Sequence, residues 1–157
     1  MPLAFWFIKE LQSKIVEVGA VTPYYFKCTH PVYDLFDTHP LVIKKDAITL
    51  DVTGKNVLSI STIEHFGTGD YNQEKQKRKG VDFLLHVIDA SNKFLISWPL
   101  GYDMELDNFA FETNQCNYIS RCESGWSQIS HSELSPKGKV YGPNWANSIA
   151  LFENIFN

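Results

Sequence analysis

Apolar positions fall along this chain in short blocks, and their spacing predicts the elements. From Leu3 to Val18, Phe7, Leu11, Ile15 and Val18 recur at helical spacing, with Leu3, Trp6 and Ile8 beside them. Lys9, Glu10, Lys14 and Glu17 fill the opposite side and Gly19 follows as a C-cap, so one amphipathic helix is expected there. Pro23, Pro31 and Pro40 then break the chain into a short strand over Tyr24–Cys28 and an irregular stretch over Val32–Asp37. Leu41–Lys44 precedes a hairpin in which Ala47–Val52 turns at Thr53–Asn56 and returns as Val57–Ile63.

The longest apolar stretch is Val81–Pro99. Two runs, Val81–Ile88 and Phe94–Trp98, flank the polar cluster Asp89–Lys93, which reads as a β-hairpin. Val81, Phe83, Leu85 and Val87 share one face by alternation, while Leu84 and Ile88 keep the other face apolar. A strand covered on both sides belongs mid-domain, so Leu85 is expected in the core. Short strands follow over Leu100–Leu106, Phe109–Glu112, Gln115–Cys122 and Trp126–Ser130. The tail has Trp145, Ile149, Phe152 and Phe156 at helical spacing, with Asn144 as N-cap. The expected architecture is a single α+β domain over residues 1–157. It is predominantly an antiparallel meander or curved sheet of seven to nine strands, with an N-terminal and a C-terminal helix.

Composition narrows the function classes. A net charge of −4 disfavours nucleic acid as a bulk partner. Three cysteines, Cys28, Cys116 and Cys122, read as free thiols of a reducing compartment. The start of the chain has neither a basic leader region nor the length to span a bilayer, so a cytoplasmic protein without a membrane is expected. Gly67–Gly80 is hydrophilic, with Tyr71 as its one apolar residue and Lys75, Lys77, Arg78 and Lys79 near its end. Such a loop is functional or mobile. Outside Gln73–Lys79, ten bases face seventeen acids, a charge of −7.

No motif names a reaction. The histidines and cysteines lack metal-ligand spacing, a glycine-elbow serine is absent, and Gly67-Thr68-Gly69 runs into a polar loop rather than a helix. Glu64-His65 and Asp37-Thr38-His39 pair a carboxylate with an imidazole, without a nucleophile to match. No catalytic, cofactor or metal residue is therefore expected.

The most informative pattern is Tyr102–Asp107. Read as a strand, it sets Asp103, Glu105 and Asp107 on one face and Tyr102, Met104 and Leu106 on the other. Such a stripe is either a solvated outer face or one that waits for a cationic partner surface. The expected function is a non-enzymatic binding module, most concretely a bacterial immunity-type inhibitor covering a basic toxin such as a nuclease. Its contacts would be Asp103, Glu105, Asp107, Tyr102, Tyr71, Lys75, Lys77, Arg78 and Lys79. A β-barrel-like carrier of small molecules or lipids is the alternative. A hydrolase built on Glu64, His65 or His86 is the third reading.

Overall fold

A computed structural model describes residues 2–72, 74–123, 125–142 and 146–155. Helix α1 (Pro2–Leu11) leads into strands β1 (Ile15–Val18), β2 (Val32–Asp34), β3 (Val42–Lys44) and β4 (Asn56–Ile60). Helix α2 (Lys79–Ala90), β5 (Lys93–Pro99), α3 (Met104–Thr113), β6 (Asn117–Cys122), β7 (Gly125–Ile129) and β8 (Ser148–Glu153) complete the order. The α+β class stands, and among the described residues one sheet of eight strands lies within the expected number. The sheet is mixed rather than antiparallel throughout. Its order is β3-β2-β1-β4-β5-β8-β6-β7, with β3, β2, β1, β4 and β5 parallel, β8 running against β5 and β6, and β7 against β6.

Two faces of the sheet bury two clusters. Ile15, Leu58 and Leu95 meet Ala4 and Phe7 of α1 on one side. Their neighbours in alternation, Val16, Val18, Val57, Phe94, Ile96 and Trp98, pack with Phe83, Leu84 and Val87 of α2 and Leu106 and Ala110 of α3. This is a three-layer arrangement, helix on either side of a largely parallel sheet.

Several predicted elements change type. The chain leaves α1 at Leu11 because Gln12 and Lys14 take positive φ, and the β-branched run Ile15-Val16 with Val18 continues as a strand. The first arm of the expected central hairpin is α2. Gly80, Phe83, Leu84 and Val87 are buried at i, i+3, i+4 and i+7, so helical periodicity outweighs alternation there. Leu85 is consequently 39% exposed while Leu84 is fully buried. Tyr102–Asp107 and Phe109–Glu112 form the approach to α3 and its body. Ala47–Thr49 is a single 3-10 turn, which leaves β4 without the expected hairpin partner; it pairs in parallel with β1 and β5 instead. Thr22–Tyr24 is likewise a 3-10 turn rather than the start of a strand.

The predicted C-terminal helix gives way to β8, whose buried positions alternate at Ser148, Ala150 and Phe152. The Asn144 cap, Trp145 and Phe156 lie outside the described residues, as does Ser124 in the β6–β7 turn, while that hairpin forms as expected. Among the described residues no helix is long and apolar enough to cross a membrane.

Placement on α2 has a direct consequence. Leu84→Ala is expected to cost about 2–5 kcal/mol through lost burial and the cavity left behind, and Leu85→Ala less than about 1 kcal/mol. Urea denaturation of the two variants checks the order, and a larger loss at Leu85 would put α2 the wrong way round.

Candidate functional site

The strand order 3-2-1-4-5 reverses direction between β1 and β4. In doubly wound sheets, ligands sit outside the carboxyl ends of the strands at that switch point. A crevice of about 260 Å³ opens there, lined from the ends of β1 (Val18, Gly19), β2 (Asp34), β3 (Lys45, Asp46) and β4 (Ser61, Thr62). A second cavity, about 470 Å³, lies at the amino ends of the strands, near Ile15, His30 and Lys55. Topology favours the first despite its smaller volume.

Gly19 lines the crevice where the chain leaves β1. Its φ is +87°, and a Cβ there would stand 1.9 Å from Thr62 Oγ1, so the turn after β1 can pass the end of β4 only without a side chain. Beneath the turn, the buried Glu17 carboxylate fixes the loop. Its Oε1 accepts from the backbone N–H of Thr22 at 2.8 Å and of Val21 at 3.1 Å, and its Oε2 accepts from the Thr22 hydroxyl and lies 2.8 Å from His30 Nε2. Glu17, Cys28 and His30 bring three metal-ligating atoms within 4.8 Å of one another, a grouping their separation in sequence conceals. The loop already occupies the Glu17 oxygens in that grouping.

Asp34 ends β2. Its Oδ1 accepts from the N–H of Phe36 at 2.7 Å and of Asp37 at 2.8 Å, whereas Oδ2 has a long 3.3 Å bond from Ala20 N. Oδ2 thus keeps accepting capacity beside the glycine turn. Asp46 accepts from Lys79 Nζ at 3.0 Å. Tyr71 stacks on Phe36 with ring centroids 5.2 Å apart. Its hydroxyl pKa is raised by burial first and then by the negative field of Asp34, Asp70, Glu64 and Asp37.

After β4 the 3-10 turn Ile63–His65 aims His65 along the crevice. His65 Nδ1 is 2.8 Å from Asp70 Oδ2, which also accepts from the hydroxyls of Thr68 at 2.7 Å and Tyr102 at 2.9 Å. The His65 bond, then those from Thr68 and Tyr102, hold the Asp70 pKa low against its partial burial. An ionised carboxylate only accepts, so Nδ1 carries the proton and neutral His65 keeps its lone pair on Nε2. Burial and the Asp70 bond raise the Tyr102 hydroxyl, which therefore remains the donor. Glu64 is buried beside this dyad with its Oε1 4.0 Å from His65 Nε2, and burial pushes it up to about 8.

The residues singled out from the sequence are dispersed. Tyr71 and Lys79 line the crevice, and Tyr102 joins it through Asp70. Lys75, Lys77 and Arg78 are exposed on the segment before α2. The three carboxylates of the expected strand share no face. Asp103 caps α3, accepting from the N–H of Glu105 and Leu106, and Glu105 sits in the first turn, where the helix dipole favours an acid. Asp107 is buried, accepting from Gly101 N at 2.7 Å and Trp98 Nε1 at 3.2 Å, and burial raises it to about 6. His86 lies on α2 with Nε2 3.2 Å from the Leu50 carbonyl, away from the crevice.

Among the crevice-lining residues that the sequence did not single out are Gly19 and Asp34. Their signal was a buried β-branched run ending in glycine, followed by an acid at the end of the next strand. Comparison with family models, curated proteins and solved structures finds no match. Fold and geometry therefore stand alone: a mixed, largely parallel sheet with helices on both faces and a crevice of about 260 Å³ at its switch point.

Proposed function

We propose that the chain is a methyltransferase that takes S-adenosylmethionine as methyl donor. The observation that carries this reading is the crevice at the β1/β4 switch point, with Gly19 lining it and Asp34 ending β2. A carboxylate in that position accepts from the hydroxyls of a ribose. Phe36 and Tyr71 offer aromatic surface nearby for a base.

Charge selects among adenosine-bearing ligands. Phosphate-bearing ones need a glycine-rich turn that opens a helix, whose N-terminus faces the anion. Here β1 runs into the short turn Thr22–Tyr24 and no helix follows before β2. Asp34, Asp37 and Asp46 line the crevice against Lys45 and Lys79, and Asp46 already holds Lys79. Such a lining repels a pyrophosphate and suits an adenosyl ligand bearing a cation. S-adenosylmethionine supplies a methyl group on a positively charged sulfur. The expected acidic inhibitor face loses its support, since Asp103 and Asp107 are engaged by α3 and by the turn before it.

In this reading Asp34 Oδ2 binds the ribose and Glu17 positions the turn. Calorimetry with S-adenosylhomocysteine and with ATP tests it. The expected result is binding of the first and none of the second at equal concentration, with Asp34→Ala weakening the first by about tenfold or more, the worth of a charge-assisted hydrogen bond. ATP binding without S-adenosylhomocysteine binding would sink the proposal.

A further inference from the structure

We infer that Glu17, Cys28 and His30 bind one zinc ion beneath the turn after β1. None of the three lines the crevice, so such a site stands apart from the methyl-transfer reading.

Three side chains of different chemistry meet there. One carboxylate oxygen of Glu17, one ring nitrogen of His30 and Cys28 Sγ all lie within 4.8 Å of one another. Glu17 stands on β1, whereas Cys28 and His30 stand on the chain from Phe26 to Pro31, which belongs to no helix or strand. An ion held by all three ties that loop to the sheet. The Glu17 and His30 side chains are both more than nine-tenths buried.

The hydrogen bonds of Glu17 permit the exchange. Oε1 is taken by the N–H groups of Val21 and Thr22. Among the described residues Oε2 meets His30 Nε2 at 2.8 Å and the Thr22 hydroxyl, and that hydroxyl lies 3.0 Å from Cys28 Sγ. The groups that occupy Oε2 are therefore donors of the same set, and the ion takes the place of the protons shared among them. His30 Nδ1 is buried with no hydrogen-bond partner among the described residues. Few buried polar atoms go unpaired, and the bond to Glu17 alone does not account for this ring. No donor holds Nδ1 in its lone-pair form, so the ring proton can sit there while Nε2 turns its lone pair to the ion.

The donor set selects the metal. Thiolate, imidazole and carboxylate together suit zinc, whereas calcium and magnesium take oxygen. Metal–ligand lengths of about 2.0–2.3 Å set tetrahedral neighbours about 3.3–3.6 Å apart, so Cys28 closes by about an ångström at most and His30 opens by about half of one. Thr22 Oγ1, in contact with Glu17 and Cys28, stands at the fourth place. On binding, the thiol proton passes to solvent, and thiolate and carboxylate balance the charge of the ion.

The test titrates metal-free wild type, Cys28→Ser, His30→Gln and, as a control, Cys122→Ser with zinc chloride alone. Wild type and Cys122→Ser should bind one equivalent with Kd below about 10 μM and melt about 5 °C or more higher at a hundredfold excess over Kd. Cys28→Ser and His30→Gln should bind about 100-fold more weakly or worse, since an outer partner alone is worth about 10–100-fold. Cobalt(II) in place of zinc should give a thiolate-to-metal charge-transfer band that Cys122→Ser keeps and Cys28→Ser loses. Should a ligand variant fail to fold, wild type alone decides: zinc should shield Cys28 from iodoacetamide and leave Cys122 reactive, as read by peptide mass. Binding weaker than about 10 μM, binding undiminished in Cys28→Ser, or equal alkylation of Cys28 with and without zinc would overturn the site.

Discussion

Glu64→Gln is expected to remove most of a stability loss that the wild type suffers as pH rises from about 4.5 to about 8. Glu64 is 1% exposed and its Oε2 has no hydrogen-bond partner, so burial holds the proton on it up to about 8. The unfolded chain releases that proton near 4.5. Between these values the folded state binds more protons than the unfolded state, and stability therefore falls with rising pH. Below the window both states are protonated and the stabilisation is whole; above it both are ionised and the loss is complete. At about 1.4 kcal/mol per pH unit, the full loss is roughly 3–5 kcal/mol. Asp107, raised to about 6, and Asp103, also raised by burial, act in the same direction but are shared by both proteins. Urea denaturation of wild type and variant at pH 4.5 and 8.5 isolates Glu64. Parallel behaviour of the two would mean that Glu64 is ionised in the fold.

The second large effect is at Gly19. Gly19→Ala should destabilise the fold by about 2–4 kcal/mol and abolish nucleoside binding, because the added carbon meets Thr62 and the backbone stays left-handed. The three nearest atoms, at 1.9, 2.4 and 2.6 Å, all belong to the Thr62 side chain. Adding Thr62→Gly should therefore recover most of the lost stability, leaving about 1 kcal/mol from the positive φ. Thermal unfolding and S-adenosylhomocysteine calorimetry on the single and double variants read both parts. An unperturbed Gly19→Ala would mean that β1 and β4 do not approach as described.

How far the sequence revealed this follows from particular residues. Apolar content located most core segments, and the β6–β7 hairpin was legible because its pairing is local. Parallel pairing leaves no such trace: β1 finds β4 some forty residues away, and nothing between them signals register. At Val81–Val87, alternation and helical spacing fit the same residues, and the helix prevailed because Gly80, Phe83, Leu84 and Val87 bury one face. Ile15–Val18 was absorbed into a helix because Ile15 and Val18 continue the spacing of Phe7 and Leu11, which hid the glycine turn after β1. Glu64-His65 was visible as an acid next to an imidazole. Its true partner, Asp70, was not, since a 3-10 turn and a loop decide which carboxylate the ring meets.

The position of β8 sets the order in which the sheet can be assembled during synthesis. β8 is made after β6 and β7 yet lies between them and β5. The five parallel strands can order while the ribosome is still at work, but the β6–β7 hairpin has nothing to dock on until Ser148–Glu153 emerges. Throughout that interval β5 stands as an open edge carrying Leu95, Ile96 and Trp98, a template for pairing with a neighbouring nascent chain. A chain truncated between Ile129 and Ser148 therefore leaves β5 as an open edge, free to pair with another chain.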